Sequence, residues 1–248
     1  MDAVTIGLLT GAGFAAGAIN AAAGGGSLIT FPALVAAGYP SITANVTNAI
    51  AVLPGYVGGS LAYRPELMGQ GGRIRALGIT SALGAAGGAA LLLISPPSVF
   101  EALAPWLILA ACALLAVQPR AAAVAERHRD HRGSGAVLHL VLFLAAIYGG
   151  YFGAGLGIMF LAILAVFLDD DLQRLNALKG LLSLVVAIIA AAGFVLFGPV
   201  AWTAALVIGG ACLLGGWLGV SAVRRLPATA LRWTTIAYGV TVAIVLML

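Results

Sequence analysis

Lys179 is the only lysine in this 248-residue chain, and it lies about two helical turns into an apolar run that begins after Asp171. Asn176 precedes it by three residues, a spacing that puts both side chains on one face of a helix. Asn45 and Asn48 repeat the spacing near the start of an earlier apolar run, with Thr47 between them. Amides and a lone cation in apolar surroundings can hold a small oxyanion. Each also has a structural use: Lys179 can snorkel to the cytoplasmic surface, and Asn45, Thr47, Asn48 and Asn176 can bond between helices. Two glycine clusters stand nearby in sequence, Gly24-Gly25-Gly26 and Gly153-Ala-Gly155-Leu-Gly157, each followed by a short apolar run. Glycine weakens a helix and frees backbone polar groups, which hydrocarbon tolerates only where protein or a water-filled cavity covers them. A half-helix starting after such a break presents an N-terminus with about half a positive charge, which gathers anions. Ser27 is expected to cap the first of these. Asn20 either contacts substrate or satisfies broken backbone, while Tyr148 and Tyr151 either offer hydroxyls or pack as aromatics.

Other chemistries lack their residues. Asp2, Glu66, Glu101, Glu126, Asp130, Asp169, Asp170 and Asp171 all fall at run ends or in loops. Cation pathways and proton relays place carboxylates inside the membrane, so their absence there favours an anion. His128, His131 and His139 lie in or beside a basic linker; no serine-hydrolase or metalloprotease spacing occurs, and no enzyme activity, cofactor or metal is expected. Cys112 and Cys212 sit in apolar runs and form no disulfide or zinc framework. Gly11-x-Gly13 is no dinucleotide fingerprint, because neither a strand before it nor an acidic ribose partner after it is present. Most of the 34 glycines, such as Gly13 with Gly17 and Gly215 with Gly219, fit close helix packing.

The elements that must position these groups follow from composition. Apolar residues make up 62% of the chain and charged residues 8%, with mean hydropathy +1.11. A soluble domain is roughly a quarter charged, so this is an integral membrane protein whose immediate surroundings are the lipid bilayer. Its 12 basic against 8 acidic residues are spread along the chain and read as orienting loop charge, not as a nucleic-acid surface. A bilayer core needs about 20 apolar residues per helix. Full-length runs cover roughly 5–24, 42–63, 74–94, 99–118, 136–152, 173–197, 200–223 and 228–247, and short runs cover Leu28 to Gly38 and Ile158 to Leu168. No basic leader with a small-residue cleavage pattern opens the chain, so no cleaved signal peptide is expected.

A linker at 119–135 separates a first repeat, 1–118, from a second, 136–248. A shift of 131 lays Ala23-Gly24-x-Gly26 over Ala154-Gly155-x-Gly157, Asn45 over Asn176 and Asn48 over Lys179. If each short run returns the chain toward the side it came from, each half has five segments and all twelve basic residues fall on or near one side. If the clusters merely kink single spans, Arg174, Lys179, Arg224, Arg225 and Arg232 land opposite. The positive-inside pattern selects five, and an odd number inverts the second half. The expected fold is thus an all-α polytopic membrane protein of two inverted repeats, each with a glycine-broken re-entrant or short half-helix. Basic loops are expected in the cytoplasm and both termini outside.

The run Ile19-Asn-Ala-Ala-Ala-Gly-Gly-Gly-Ser-Leu-Ile-Thr-Phe-Pro-Ala-Leu, with Ala44-Asn-Val-Thr-Asn-Ala and Ala62-Tyr-Arg-Pro-Glu-Leu after it, resembles the sulfite exporter TauE/SafE family. So do Tyr148-Gly-Gly-Tyr-Phe-Gly-Ala-Gly-Leu-Gly-Ile, Asn176-Ala-Leu-Lys179 and the Leu231-Arg-Trp stretch, and the resemblance spans nearly the whole chain. It implies an inner-membrane exporter of small sulfur-containing anions such as sulfite, sulfonates or sulfoacetate. This chain departs at Asn20, where many members carry an acidic residue. The expected substrate contacts are Asn20, Gly24, Gly25, Gly26, Ser27, Asn45, Thr47, Asn48, Tyr151, Gly155, Gly157, Asn176 and Lys179. Transport would alternate access at paired half-helix N-termini. The alternatives are a small-anion channel and a non-transporting accessory subunit, and homo-oligomerisation stays open.

Overall fold

Without water to bond, backbone in a bilayer must satisfy itself, and this chain does so with helices. The computed structural model describes residues 1–22, 25–127, 135–223 and 228–247. Among them are α1 (Ala3–Ala22), α2 (Ser27–Ala36), α3 (Ser41–Ala51), α4 (Leu53–Ala62), α5 (Gly71–Ile94), α6 (Pro97–Arg127), α7 (Gly135–Tyr151), α8 (Leu156–Phe167), α9 (Leu172–Phe197), α10 (Trp202–Val223) and α11 (Ala228–Met247), one short 3-10 turn, and no strand. Ala23, Gly24, His128, Asp130, His131, Arg224 and Arg225 lie outside the described residues.

By length and composition, α1, α5, α6 and α9 can each cross a membrane, while α2, α7 and α8 are shorter. Two expectations change. The run at 42–63 is divided at Val52 into α3 and α4, with Pro54, which has no N–H to continue the ladder, in the opening turn of the second helix. The first part of the linker is helical, since Ala121-Ala-Ala-Val-Ala offers nothing to stop α6 before Arg127. Large apolar side chains point outward, including Val4, Ile94, Phe197 and Leu206, at 79%, 78%, 77% and 73% exposure. A water-facing surface would not carry so many.

Packing is reciprocal between the halves. α1 lies along α10 and α7 along α5; α2 packs on α1, α3 and α11, while α8 packs on α7, α9 and α6. Both long pairings depend on glycine. A Cβ built on Gly13 would lie 2.8 Å from Ile208 O, and those of Gly17 and Gly215 would strike Cys212 O and Phe14 O. In the other pair a Cβ on Gly84 would lie 2.6 Å from Phe143 O, and those of Gly88 and Gly150 would strike Ile147 O and Ala85 O. Helix backbones therefore touch, as small residues permit in lipid.

Each end of the bundle is tied across the halves. At one end Asp170 pairs with Arg73 and, at 2.9 Å, with Arg174, while Gln70 Nε2 donates to Arg174 O at 3.3 Å. At the other end of α9, Ala201 N donates to Thr47 Oγ1 at 3.0 Å. Arg73 and Arg174 thus share an end. Burial pushes the Asp170 carboxyl upward, but the Asp171 N–H and the Arg73 and Arg174 guanidiniums outweigh it and hold the group below its ordinary value. An unfolded aspartate titrates near ~3.9. The tie therefore stabilises fully above that value and is lost as pH falls through the lower folded-state value. Asp170→Asn should lower the melting temperature in detergent at neutral pH, and the gap to wild type should close below about pH 4. A gap unchanged between pH 7 and pH 3 would refute the tie.

Candidate functional site

The first break opens at Gly25, whose φ of +97° is a left-handed conformation that side chains resist. Gly26 already has helical angles and α2 follows at Ser27. Ser27 is therefore the first helical residue and makes no capping bond, contrary to the expectation from its type. The Gly26 N–H instead donates to Asn20 Oδ1 at 2.7 Å, so Asn20 satisfies broken backbone. One turn on, the Thr30 hydroxyl donates to Asn48 Oδ1 and lies 3.3 Å from Gly26 O. Asn48 is thereby fastened to α2, since a buried amide must find partners.

The second break carries left-handed glycines at Gly153 and Gly155, with φ of +78° and +76°. Tyr148 spans it, its hydroxyl donating to Ala154 O at 2.6 Å. α8 then starts at Leu156. Its first amides are unequally served: Leu156 N–H reaches Gly153 O, and Ile158 and Met159 N–H both reach Gly155 O. Gly157 N–H has no backbone acceptor among the described residues. Against this glycine lie two α9 side chains; a Cβ built on Gly157 would stand 3.7 Å from Lys179 Cε and 4.0 Å from Ser183 Oγ.

Lys179 Nζ donates to Asn176 Oδ1 at 2.7 Å, and Asn176 Nδ2 donates to the Tyr63 hydroxyl at 3.1 Å. Among the described residues no carboxylate lies within 4.0 Å of the ammonium. The Lys179 methylenes thus lie over Gly157 in the first turn of α8, the end of a helix that carries partial positive charge. The group brings together an ammonium, an amide, a phenol and a buried hydroxyl, the kinds of donor that suit an oxyanion.

Cross-links join the two breaks. Asn45 Nδ2 donates to Tyr151 O at 2.8 Å, and Asn45 Oδ1 is buried without a partner. Gly25 borders Leu115 of α6, and Gly155 borders Ala111 and Leu114 in the same turn. Phe31 of α2 meets Phe152 edge-on at 5.4 Å, and Phe100 meets the Tyr151 ring at 5.7 Å. Tyr151 thus serves by its carbonyl and by ring packing. Thr47 is engaged at the turn between α9 and α10 and does not join the Asn45–Asn48 face. Sequence reasoning passed over Thr30, Tyr63 and Ser183. Ser183 had a local signal, since it lies four residues after Lys179 and so on its face. Thr30 and Tyr63 had none, their partners being distant in sequence.

Residues 9–246 match the family described as sulfite exporter TauE/SafE. Among curated proteins, a "Probable membrane transporter protein ORF9" from a Sinorhizobium species is 30% identical over 209 residues, 84% of this chain and 79% of the relative. A "Probable membrane transporter protein" from Haemophilus influenzae is 29% identical, covering 89% of this chain and 86% of the relative. The Escherichia coli "Probable membrane transporter protein YfcA" is 26% identical, with 89% and 80% covered. No solved structure matches.

Proposed function

The chain belongs to the sulfite exporter TauE/SafE family of membrane transporters, and from that premise we propose that it exports small sulfur-containing anions such as sulfite, sulfonates or sulfoacetate across the inner membrane. The observation that carries the anion reading is Lys179, an ammonium beside the N-terminus of α8 with no carboxylate partner among the described residues. Asn176 and Tyr63 hold the cation in place, and the first break contributes Asn45, Asn48 and the start of α2.

The mechanism is alternating access between two inverted repeats, 1–118 and 136–248. The reciprocal pairing of α1 with α10 and of α7 with α5 supports it, because a two-fold exchange of the halves converts one into the other. Support also comes from Arg73 and Arg174 sharing one end, as basic loops on the cytoplasmic side require. Glycine-packed pairs would move as units against α6, which borders both breaks.

Proteoliposomes test the reading. Purified protein should give saturable flux of sulfite or an organosulfonate, accelerated when unlabelled anion is loaded on the opposite side. Flux that rises linearly with concentration and shows no such counterflow would replace the carrier with a channel, and no flux of any of these anions would overturn transport.

A further inference from the structure

Ser183 has no part in any interaction described so far. Its residue is 2% exposed and its hydroxyl has no hydrogen-bond partner. A buried hydroxyl left unpaired is costly, and such groups mark places where something else binds. The location is specific: Ser183 and Lys179, one turn apart on α9, both border Gly157, whose own N–H lacks a backbone acceptor among the described residues. The buried Ser183 hydroxyl therefore looks onto the first turn of α8, beside the Lys179 methylenes that lead to its ammonium.

We propose that Ser183 is a further substrate-contacting residue, which with the Lys179 ammonium and the Gly157 N–H receives the oxygens of a sulfite or sulfonate headgroup at the start of α8. The inference rests on the reading of Lys179 given above. Three oxygens on one sulfur match three donors, and glycine at position 157 puts no side chain of α8 between its backbone and Lys179 and Ser183. A methyl group there would meet Lys179 and Ser183 only at ordinary contact distance, 3.7 to 4.0 Å, and would need no unusual backbone angle, so Gly157→Ala should fold. It would nevertheless occupy the headgroup's position.

The test measures melting temperature with and without ligand, and dissociation constants, for purified protein with sulfite and with sulfoacetate. Wild type should be stabilised by at least one of them. Ser183→Ala should bind that anion about tenfold or more weakly, the usual scale for a hydrogen bond to a charged group. Ser183→Thr, which keeps the hydroxyl, should bind like wild type, and Gly157→Ala should melt normally without ligand yet lose ligand stabilisation. A purely structural Ser183 would change the unliganded melting temperature and leave the dissociation constant alone. If Lys179→Ala loses binding while Ser183→Ala and Gly157→Ala keep it, this inference falls and the anion reading stands. If neither anion stabilises wild type, or Lys179→Ala binds normally, both fall.

Discussion

Lys179→Ala is expected to reduce sulfite or organosulfonate flux by about a hundredfold or more and to leave the unliganded protein folded. At ~4 Å and an effective dielectric constant of about 20, one ammonium contributes roughly 4 kcal/mol to holding an anion. Part of that is offset by the cost of dehydrating the anion, which leaves at least two decades in affinity. Stability should not suffer, because the ammonium has no carboxylate to neutralise it among the described residues and its methylenes lie at the positive end of α8. Asn176 loses one bond and keeps its link to Tyr63. Lys179→Gln separates the two uses of the residue. A lysine that only snorkels to the surface tolerates glutamine with little change in flux, whereas an anion contact does not. Unchanged affinity and rate in both variants would remove Lys179 from the site.

The second large effect concerns close backbone approach. Gly17→Ala and Gly88→Ala should each destabilise the protein by about 1–3 kcal/mol, or more if the helices cannot part. Their methyl groups would strike the carbonyl oxygens of Cys212 and Ile147, and backbone cannot turn aside as a side chain can. For a chain of this length each kcal/mol corresponds to roughly 2–4 °C in melting temperature. Internal controls lie on the same two helices: Gly7 and Gly78 have nothing within 4 Å of a built Cβ, so Gly7→Ala and Gly78→Ala should be neutral or slightly stabilising. Thermal melts of the four variants in one detergent settle the matter. If Gly88→Ala melts like Gly78→Ala, α5 and α7 are not in backbone contact. Because the pairing of α1 with α10 mirrors that of α7 with α5, Gly17→Ala and Gly88→Ala should cost similar amounts.

Much of this was legible along the chain because it depends on local chemistry. Apolar runs without charge can only become helices in lipid, and glycine clusters break them wherever they fall. Hence both breaks and the short helices after them stand where the glycines are, and Asn176 and Lys179 meet because three residues on a helix is a fixed geometry. Local rules also misled where two of them competed. Ser27 has the chemistry of a cap, yet Gly26 took up helical angles first and its amide was served by Asn20. The run at 42–63 was apolar enough for one helix, but Pro54 acted on backbone geometry, to which hydropathy is blind.

The sequence by itself determined the class of protein, the positions of the two breaks, the membership of the lone lysine in a polar face and the scarcity of carboxylates near it. Only the tertiary structure decided what that lysine faces. The start of α8 and the Tyr63 anchor reach Lys179 through packing of α4 and α8 on α9, and that packing buries the Ser183 hydroxyl without a partner. The reason is physical: periodicity constrains neighbours within a turn or two, while contacts over a hundred residues apart depend on which glycine-lined helix faces can close on one another.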